Sequence, residues 1–420
     1  MVPTMAGQPV VERDYHINVE NSAVAKYIAE VIYEPGNPSV VTSYTEGTTG
    51  RLDIPTPVVM ELPESDVDSL WIVCCDEKTL GDSLTFHVPA AAGVAQLYNF
   101  IPQRTYLYEV KAGDVVKQQG RIFTDGQVRM IRVPGTVANV RDLGGWTTED
   151  GQRIKYGRIF RGSALNGTYY EATEEGIEVL RELGVGAEID MRAWYNEGNN
   201  VSVFGFQSSA NTPSGQVPTF YYSSDSGQLP AHLNTYSYQY RWRMEFQFIV
   251  NNLRQQRAIY QHCVLGRDRT GYLSLLLEGV LGLSYNDLIK EYELSFFDIK
   301  SASKKDSIDK VIDYIEQLDG ETLRDKFNTY FVKKLLVKQT DIDYFRAEML
   351  EAATIDDDDN GDNNDDDGHG PLTGVAELSS DKVASISVSD ISGRRVMSTG
   401  RGGIFLLRDS NGRVRKMIGK

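Results

Sequence analysis

The sequence predicts an α/β domain, with a mainly parallel sheet flanked by helices, preceded by an all-β sandwich. Short stretches of alternating hydrophobicity, separated by Gly, Pro, Asn and Asp, run from about residue 8 to residue 132, as is typical of a sandwich. Strand-like and helix-like segments then alternate to about residue 353, which indicates a parallel sheet covered by helices. We divide the chain into a sandwich (1–132), an α/β domain (133–353), an acidic linker (354–372) and a small β-rich tail (373–420).

The N-terminal part contains stretches with the composition of strands, at 40–44, 70–73, 94–98, 106–110 and 128–131. The run from Ile101 to Tyr106, followed by Tyr108 and Val110, resembles the pattern before the penultimate strands of fibronectin type III domains. The resemblance implies an immunoglobulin-like sandwich. We expect it to serve as a spacer or as a lid packed on the α/β domain.

Each element of the α/β domain has its own signal. Thr173, followed by two glutamates, begins a helix that Gly184 ends, and the apolar strand 185–190 follows. Apolar residues at helical spacing predict helices at 236–256, 272–283, 285–292, 308–318 and 321–349, around a strand at 258–260. Ligands of such sheets bind at the carboxyl ends of the strands, where Asp190 and Cys263 both lie.

The segment between the strand at 258–260 and the following helix has the composition of an anion site. Five residues separate Cys263 from Arg269, and we call residues 263–269 the Cys–Arg loop. A loop of this length, closed by a helix N-terminus, turns successive backbone N–H groups toward one point. A helix N-terminus and a nearby Arg lower the pKa of a thiol, so that the thiolate dominates at neutral pH. A guanidinium binds two phosphate oxygens with its planar fork.

Residues 262–271, His-Cys-Val-Leu-Gly-Arg-Asp-Arg-Thr-Gly, resemble the signature of cysteine-dependent phosphatases. The closest form, Gly-Lys-Asp-Arg-Thr-Gly, belongs to a bacterial branch of tyrosine-phosphatase-like enzymes that act on phosphotyrosine, phosphoserine/threonine or phosphoinositides. Asn-Val-Arg-Asp-Leu-Gly-Gly at 139–145 and the strand at 157–164 are similar to two further motifs of that branch. Arg267 stands where the family often has Lys, so the preference for inositol phosphates that this Lys suggests is not carried over.

The resemblance implies a cysteine-phosphatase-type fold and a role for each matching residue. Cys263 would attack phosphorus and form a cysteinyl-phosphate intermediate that water hydrolyses. His262 would orient the loop, and Thr270 would hydrogen-bond the sulfur. The phosphoryl oxygens would be held by the side chain of Arg269 and by the backbone amides of Val264, Leu265, Gly266, Arg267, Asp268 and Arg269.

Three aspartates are candidates for the acid that protonates the leaving alcohol. Asp268 lies beside Arg269, and the resemblance favours it. Asp190 is the second candidate, and with Met191 and Arg192 it is similar to the Asp-Leu-Arg of the family. This similarity places Arg192 among the substrate-binding candidates. An ion pair with an arginine at the end of the strand explains Asp190 equally well. Asp225 is the third candidate.

For Arg141 and Asp142, pairing with each other or bracing the loop is favoured over catalysis.

Composition excludes several other functions. A formal charge of −16 argues against nucleic-acid binding, which requires a basic face. No apolar run has the length of a membrane span, and Met1 is not followed by a signal peptide. The 3 cysteines form no disulfide framework, no Cys/His cluster has zinc spacing, and no cofactor is expected.

The C-terminal part has two features of its own. The run of Asp and Asn at 356–367 is a hydrated linker, or a calcium site that lacks the downstream Glu of an EF-hand. The tail has a strand at 384–388 and an Asn411-Gly412 hairpin, and its 389–405 segment resembles the C-terminal sorting modules of secreted Bacteroidetes proteins. That resemblance implies a secreted, periplasmic or cell-surface protein whose leader is absent from this chain. The alternative is a docked hairpin, which leaves a cytoplasmic location open.

These observations favour a phosphomonoesterase acting on phosphotyrosine or phosphoprotein. The alternatives are an inositol-phosphate or phosphoinositide phosphatase, and a phosphate-binding module with little or no turnover. Sulfur transfer by a rhodanese-like loop is disfavoured, because Arg269 and Thr270 suit a phosphate dianion.

Overall fold

The computed structural model describes residues 10–48, 50–79, 83–192, 202–206, 232–298 and 303–352, together with the backbone of three strands in the tail. Asp225, most of the polar loop after residue 198 and the acidic linker lie outside the described residues. The calcium site and the sorting module therefore stay predictions.

The N-terminal part forms two packed β-layers. One sheet has the order β1-β8-β7-β4-β5, with β2 also paired to β8, and β3 pairs with β6 in the other. Alternate residues of β4, such as Leu70 and Ile72, share a buried cluster with Val58 and Met60 of β3. The immunoglobulin-like topology stays a prediction. The strands are β1 (Val11–Glu12), β2 (Tyr15–Asn18), β3 (Val58–Glu61), β4 (Ser69–Asp76), β5 (Leu84–Pro89), β6 (Val94–Leu97), β7 (Arg104–Ala112) and β8 (Val115–Asp125).

Two of the predicted N-terminal strands are wrong. Residues 40–44 enter a short helix, α2 (Thr42–Thr45), and 128–131 contribute only an isolated bridge through Met130. A longer helix, α1 (Ser22–Glu30), begins where the Asn21 side chain accepts the N–H of Ala23. The apolar residues Val24 and Tyr27 lie three positions apart, a helical rather than a strand period, and they pack into the core of the α/β domain.

The α/β domain is built on a four-stranded sheet of order β12-β13-β11-β9. The central strand β13 is parallel to both β11 and β12, whereas β9 is antiparallel to β11. Ile259 of β13 faces the larger core, and its neighbours Ala258 and Tyr260 face the smaller one, so both sides of the strand are buried. A separate antiparallel pair is formed by β10 and β14. The strands of the domain are β9 (Arg141–Asp142), β10 (Gln152–Ile154), β11 (Ile159–Gly162), β12 (Val185–Asp190), β13 (Ala258–His262) and β14 (Leu350–Ala352).

The helices that surround this sheet follow the predicted order. The single helix expected at 321–349 is instead two helices, because a π-helical turn at Tyr330–Lys334 leads into Leu336, whose φ of 57° is left-handed. The helices are α3 (Glu174–Glu182), α4 (Tyr236–Leu253), α5 (Asp268–Leu281), α6 (Tyr285–Glu293), α7 (Lys305–Glu316), α8 (Leu323–Thr329) and α9 (Gln339–Met349).

Three tail strands, β15 (Ser387–Asp390), β16 (Ile404–Arg408) and β17 (Val414–Ile418), form an antiparallel sheet. The predicted pairing across the hairpin is confirmed, with Arg408 opposite Val414. Across the described part of the chain, no helix is both long and apolar enough to cross a membrane.

Candidate active site

Cys263 lies at the floor of a cavity of about 440 Å³. It directly follows β13, and α5 begins five residues later, so the Cys–Arg loop joins the central strand to a helix N-terminus. The side chain is 2% exposed. The cavity is lined by Ala164, Gly167, Thr168, Tyr169, Tyr170, Cys263, Val264, Leu265, Asp268 and Arg269.

The shape of the Cys–Arg loop depends on Gly266. Its φ of 69° is left-handed, and a Cβ there would lie 2.2 Å from the carbonyl carbon and oxygen of Gly162. Arg267, at the N-cap of α5, makes no side-chain capping bond. Backbone amides at a helix N-terminus are donors suited to an anion.

The carbonyl groups of the loop are bound by neighbouring segments of the chain. Val264 C=O accepts the N–H of Ala164 at 3.0 Å. Gly266 C=O accepts from Asn139 Nδ2 at 3.0 Å and from Arg161 at 2.8 Å, and Asn139 Nδ2 also donates to Leu265 C=O at 3.3 Å. In a planar trans peptide the N–H points opposite to the C=O. The bound carbonyls therefore turn the following amides away from these partners.

Two buried arginines support the loop from below. Glu291 accepts from Arg161 at 2.6 Å and from Arg141 at 2.8 Å, and both guanidinium groups are fully buried. Burial, together with the charge of Glu291, raises the pKa of Glu278 well above its usual range, which favours the neutral form of this neighbouring carboxyl. Two cations thus face one carboxylate, which leaves positive charge beneath the loop.

Arg141 and Asp142 do not pair with each other. Arg141 is bound to Glu291, whereas Asp142 pairs with Arg129 at 3.4 Å and accepts the N–H groups of Gly144 and Gly157. The bracing interpretation of this motif agrees with these contacts, since Arg141 also donates to Asn139 Oδ1.

The pKa of the Cys263 thiol is lowered. Burial opposes ionisation, but the charge of Arg269 and the hydroxyl and backbone amide of Thr270 outweigh it. Arg269 Nη1 donates to Met191 C=O at 2.9 Å, which fixes the guanidinium beside the cavity. The structure therefore brings Cys263, Arg269 and Thr270 together.

His262 is held between two acceptors. One ring nitrogen lies 3.0 Å from Cys263 C=O and the other lies 2.8 Å from Glu188 Oε1. Burial lowers the pKa of His262, but the charges of Asp190 and Glu188 outweigh it and raise that pKa. An acceptor at each nitrogen favours the imidazolium, which can donate to both. Glu188 is not among the residues predicted from the sequence, although a charged residue in an apolar strand is a detectable signal.

The two described acid candidates have different surroundings. Asp190 is buried and binds Arg192 through contacts of 2.6–3.0 Å, and neither residue is among the residues that line the cavity. Arg192 also donates to Asn166 C=O and Oδ1.

Asp268 lines the cavity and is surrounded by donors. It accepts from Arg267 at 3.0 and 3.1 Å, from the Tyr292 hydroxyl at 3.0 Å and from Lys304 at 3.2 Å. Burial raises the pKa of Asp268, but the bonds from Arg267 and the charge of Lys304 outweigh it, so the pKa is lowered and the free site holds a carboxylate.

The mouth of the cavity contains residues that the sequence analysis did not identify. Gly167, Thr168, Tyr169 and Tyr170 follow β11, and Tyr169 is 75% exposed. Nothing in their local pattern distinguishes them from a surface loop. Among the described residues, no group of three or more His, Cys, Asp or Glu has an arrangement that would hold a metal ion.

A buried cysteine with a lowered pKa, followed by a braced loop and a helix N-terminus, is the arrangement of the cysteine-dependent phosphatase class. The sequence profile of the tyrosine phosphatase family matches residues 132–351, and the chain belongs to that family. A Cupriavidus necator protein named "Putative tyrosine-protein phosphatase" is 27% identical over 167 residues. This similarity covers 37% of the present chain and 60% of that relative.

Proposed function

We propose that the protein hydrolyses phosphomonoesters, phosphotyrosine of peptides or proteins foremost, through a cysteinyl-phosphate intermediate. The observation that carries the proposal is Cys263, with a lowered pKa, at the floor of a cavity beside Arg269 and a helix N-terminus. Membership of the tyrosine phosphatase family supports it.

The first step transfers the phosphoryl group to sulfur. Cys263 Sγ attacks phosphorus, and the bond between phosphorus and the leaving oxygen breaks with its electron pair on oxygen. Arg269 and the loop amides stabilise the equatorial oxygens in the transition state. The positive charge of Arg141 and Arg161 beneath the loop favours a bound dianion as well.

Asp268 is the acid that we propose for the leaving oxygen. It lines the cavity, whereas Asp190 is bound to Arg192 behind the loop. A phosphate dianion beside Asp268 opposes its ionisation, so substrate binding raises its pKa and favours the protonated form. In the second step water attacks phosphorus, its proton passes to the carboxylate of Asp268, and the thiolate of Cys263 leaves.

The cavity mouth supports an aryl phosphate over an inositol phosphate. Tyr169 and Tyr170 present aromatic rings against which a phenyl ring packs. The guanidinium of Arg267 is bound to Asp268 and lies 5.5 Å from the Phe296 ring centre. We therefore assign Arg267 to holding Asp268 rather than to a second phosphate.

The test is phosphate release from para-nitrophenyl phosphate, phosphotyrosine peptides and inositol phosphates, with chelator present. We expect turnover in the wild type and none in Cys263→Ser. Cys75→Ser is the matched control, because Cys75 is a buried cysteine on β4 of the N-terminal sheet. Equal turnover in Cys263→Ser would refute the mechanism. Phosphate binding without turnover would favour the binding-module alternative, and faster release from inositol phosphates would reassign the substrate.

A further inference from the structure

A short N-terminal segment, outside the residues that match the family, contacts a residue that binds the Cys–Arg loop. Asp53 is 1% exposed, and Arg51 binds it with two parallel hydrogen bonds of 2.9 and 2.7 Å. Arg51 also lies 3.7 Å from Asp298. A carboxylate is buried to this degree only where its charge and lone pairs are matched, so this position is built around the acid.

The carboxylate of Asp53 reaches Asn139. Its Oδ2 accepts the Asn139 N–H at 2.6 Å, a short, charge-assisted bond. Asn139 has a left-handed φ of 59°, a conformation that asparagine adopts more readily than most other residues. The side chain of the same Asn139 donates to Leu265 and Gly266 of the Cys–Arg loop. One residue thus connects Asp53 to the carbonyls that set the direction of the loop amides.

The surrounding segment packs on the same domain. Val24 and Tyr27 of α1 belong to the core that contains α5 and α6. The N–H of Tyr33 donates to Asn286 Oδ1 at 2.7 Å, and the N–H of Leu52 donates to Phe297 C=O at 3.3 Å. These contacts fix Asp53 relative to the helices behind the site.

We propose that Asp53 is a positioning residue for phosphate binding, and that residues 22–48 and 50–53 therefore belong to the catalytic unit although the family match begins at residue 132. Only the expected effect on kcat rests on the proposed function; the expected effect on phosphate affinity does not. Without the Asp53 contact, Asn139 is held less firmly, and so are the Leu265 and Gly266 carbonyls that its side chain binds. The loop amides then move away from the phosphate oxygens. Displacement of catalytic groups by about 1 Å costs up to about 100-fold in rate.

The experiment compares Asp53→Asn with Asp76→Asn in the full chain. Asp76 is equally buried, accepts the N–H groups of Lys78 and Thr79 and lies 3.6 Å from Arg104, on the N-terminal sheet. Inorganic phosphate is the probe, and its affinity is measured by protection of Cys263 from iodoacetate. This readout does not need turnover, so it remains informative if the chain fails to hydrolyse phosphate esters.

We expect Asp53→Asn to weaken phosphate protection about tenfold and to lower kcat, while Asp76→Asn leaves both unchanged at a similar melting temperature. Phosphate affinity in Asp53→Asn equal to that in Asp76→Asn would overturn the proposal. If Asp53→Asn does not fold, Arg51→Gln replaces it, because Arg51 has a side chain that is 35% exposed and orients the carboxylate. Unchanged phosphate affinity in that variant would overturn the proposal equally.

Discussion

Gly266→Ala is the sharpest perturbation of the Cys–Arg loop. The substitution adds one methyl group at a φ of 69°, 2.2 Å from the backbone carbon and oxygen of Gly162. Ordinary contact between such atoms is about 3.5 Å, so the loop must move by about 1.3 Å. The obstacle is the end of β11, a backbone held in the sheet by β13, and it does not rotate away as a side chain would.

A shift of that size moves the loop amides away from the phosphate oxygens. We expect kcat to fall about 100-fold, because catalytic groups displaced by about 1 Å lose this much. The left-handed backbone adds about 1–2 kcal/mol of destabilisation. Steady-state hydrolysis of para-nitrophenyl phosphate and a thermal melt measure the two effects.

Gly157→Ala separates the steric effect from the backbone effect. Gly157 has a φ of 74°, yet a Cβ there meets nothing within 4 Å. This control should lose similar stability and keep its kcat. If the folded Gly266→Ala variant turns over as fast as Gly157→Ala, the loop does not need its observed shape, and the reasoning fails.

Three further variants test the charges around the site. Thr270→Ala removes a hydroxyl that favours the thiolate and raises the pKa of Cys263, so the acidic limb of the kcat/KM profile should move to higher pH; an unmoved limb contradicts this. Asp268→Asn should lower kcat on phosphotyrosine peptides about 10²–10⁴-fold. The loss should be much smaller on para-nitrophenyl phosphate, because its leaving group is more acidic and needs less help from an acid. Asp190→Asn should mainly lower the melting temperature, because it breaks the buried ion pair with Arg192. Reversed behaviour of the two aspartates would move the acid to Asp190. Glu291→Gln leaves two buried guanidinium groups without a carboxylate and should cost about 3–5 kcal/mol, and a denaturant midpoint equal to that of the wild type would contradict it.

Local patterns predicted much of the fold. The cap at Thr173, the glycine after α3 and the apolar run of β13 each act within a few residues, so each is visible in the sequence. Helix α1 was missed, although Val24 and Tyr27 have helical spacing, because turn-forming residues around it suggested strands. The break before Leu336 follows from a left-handed backbone at a residue that rarely adopts one, which composition does not reveal.

The sequence by itself determined the proposed reactive centre, because Cys263, Gly266 and Arg269 are joined by one short loop whose geometry is local. Only the tertiary structure decided which distant groups face that loop. Glu188 meets His262 across 74 residues, and Asp53 meets Asn139 across 86. Whether Asp190 or Asp268 faces the cavity is likewise a matter of packing. Such contacts depend on how strands and helices pack, and the energy of a buried charge is set by partners that the chain brings together only on folding.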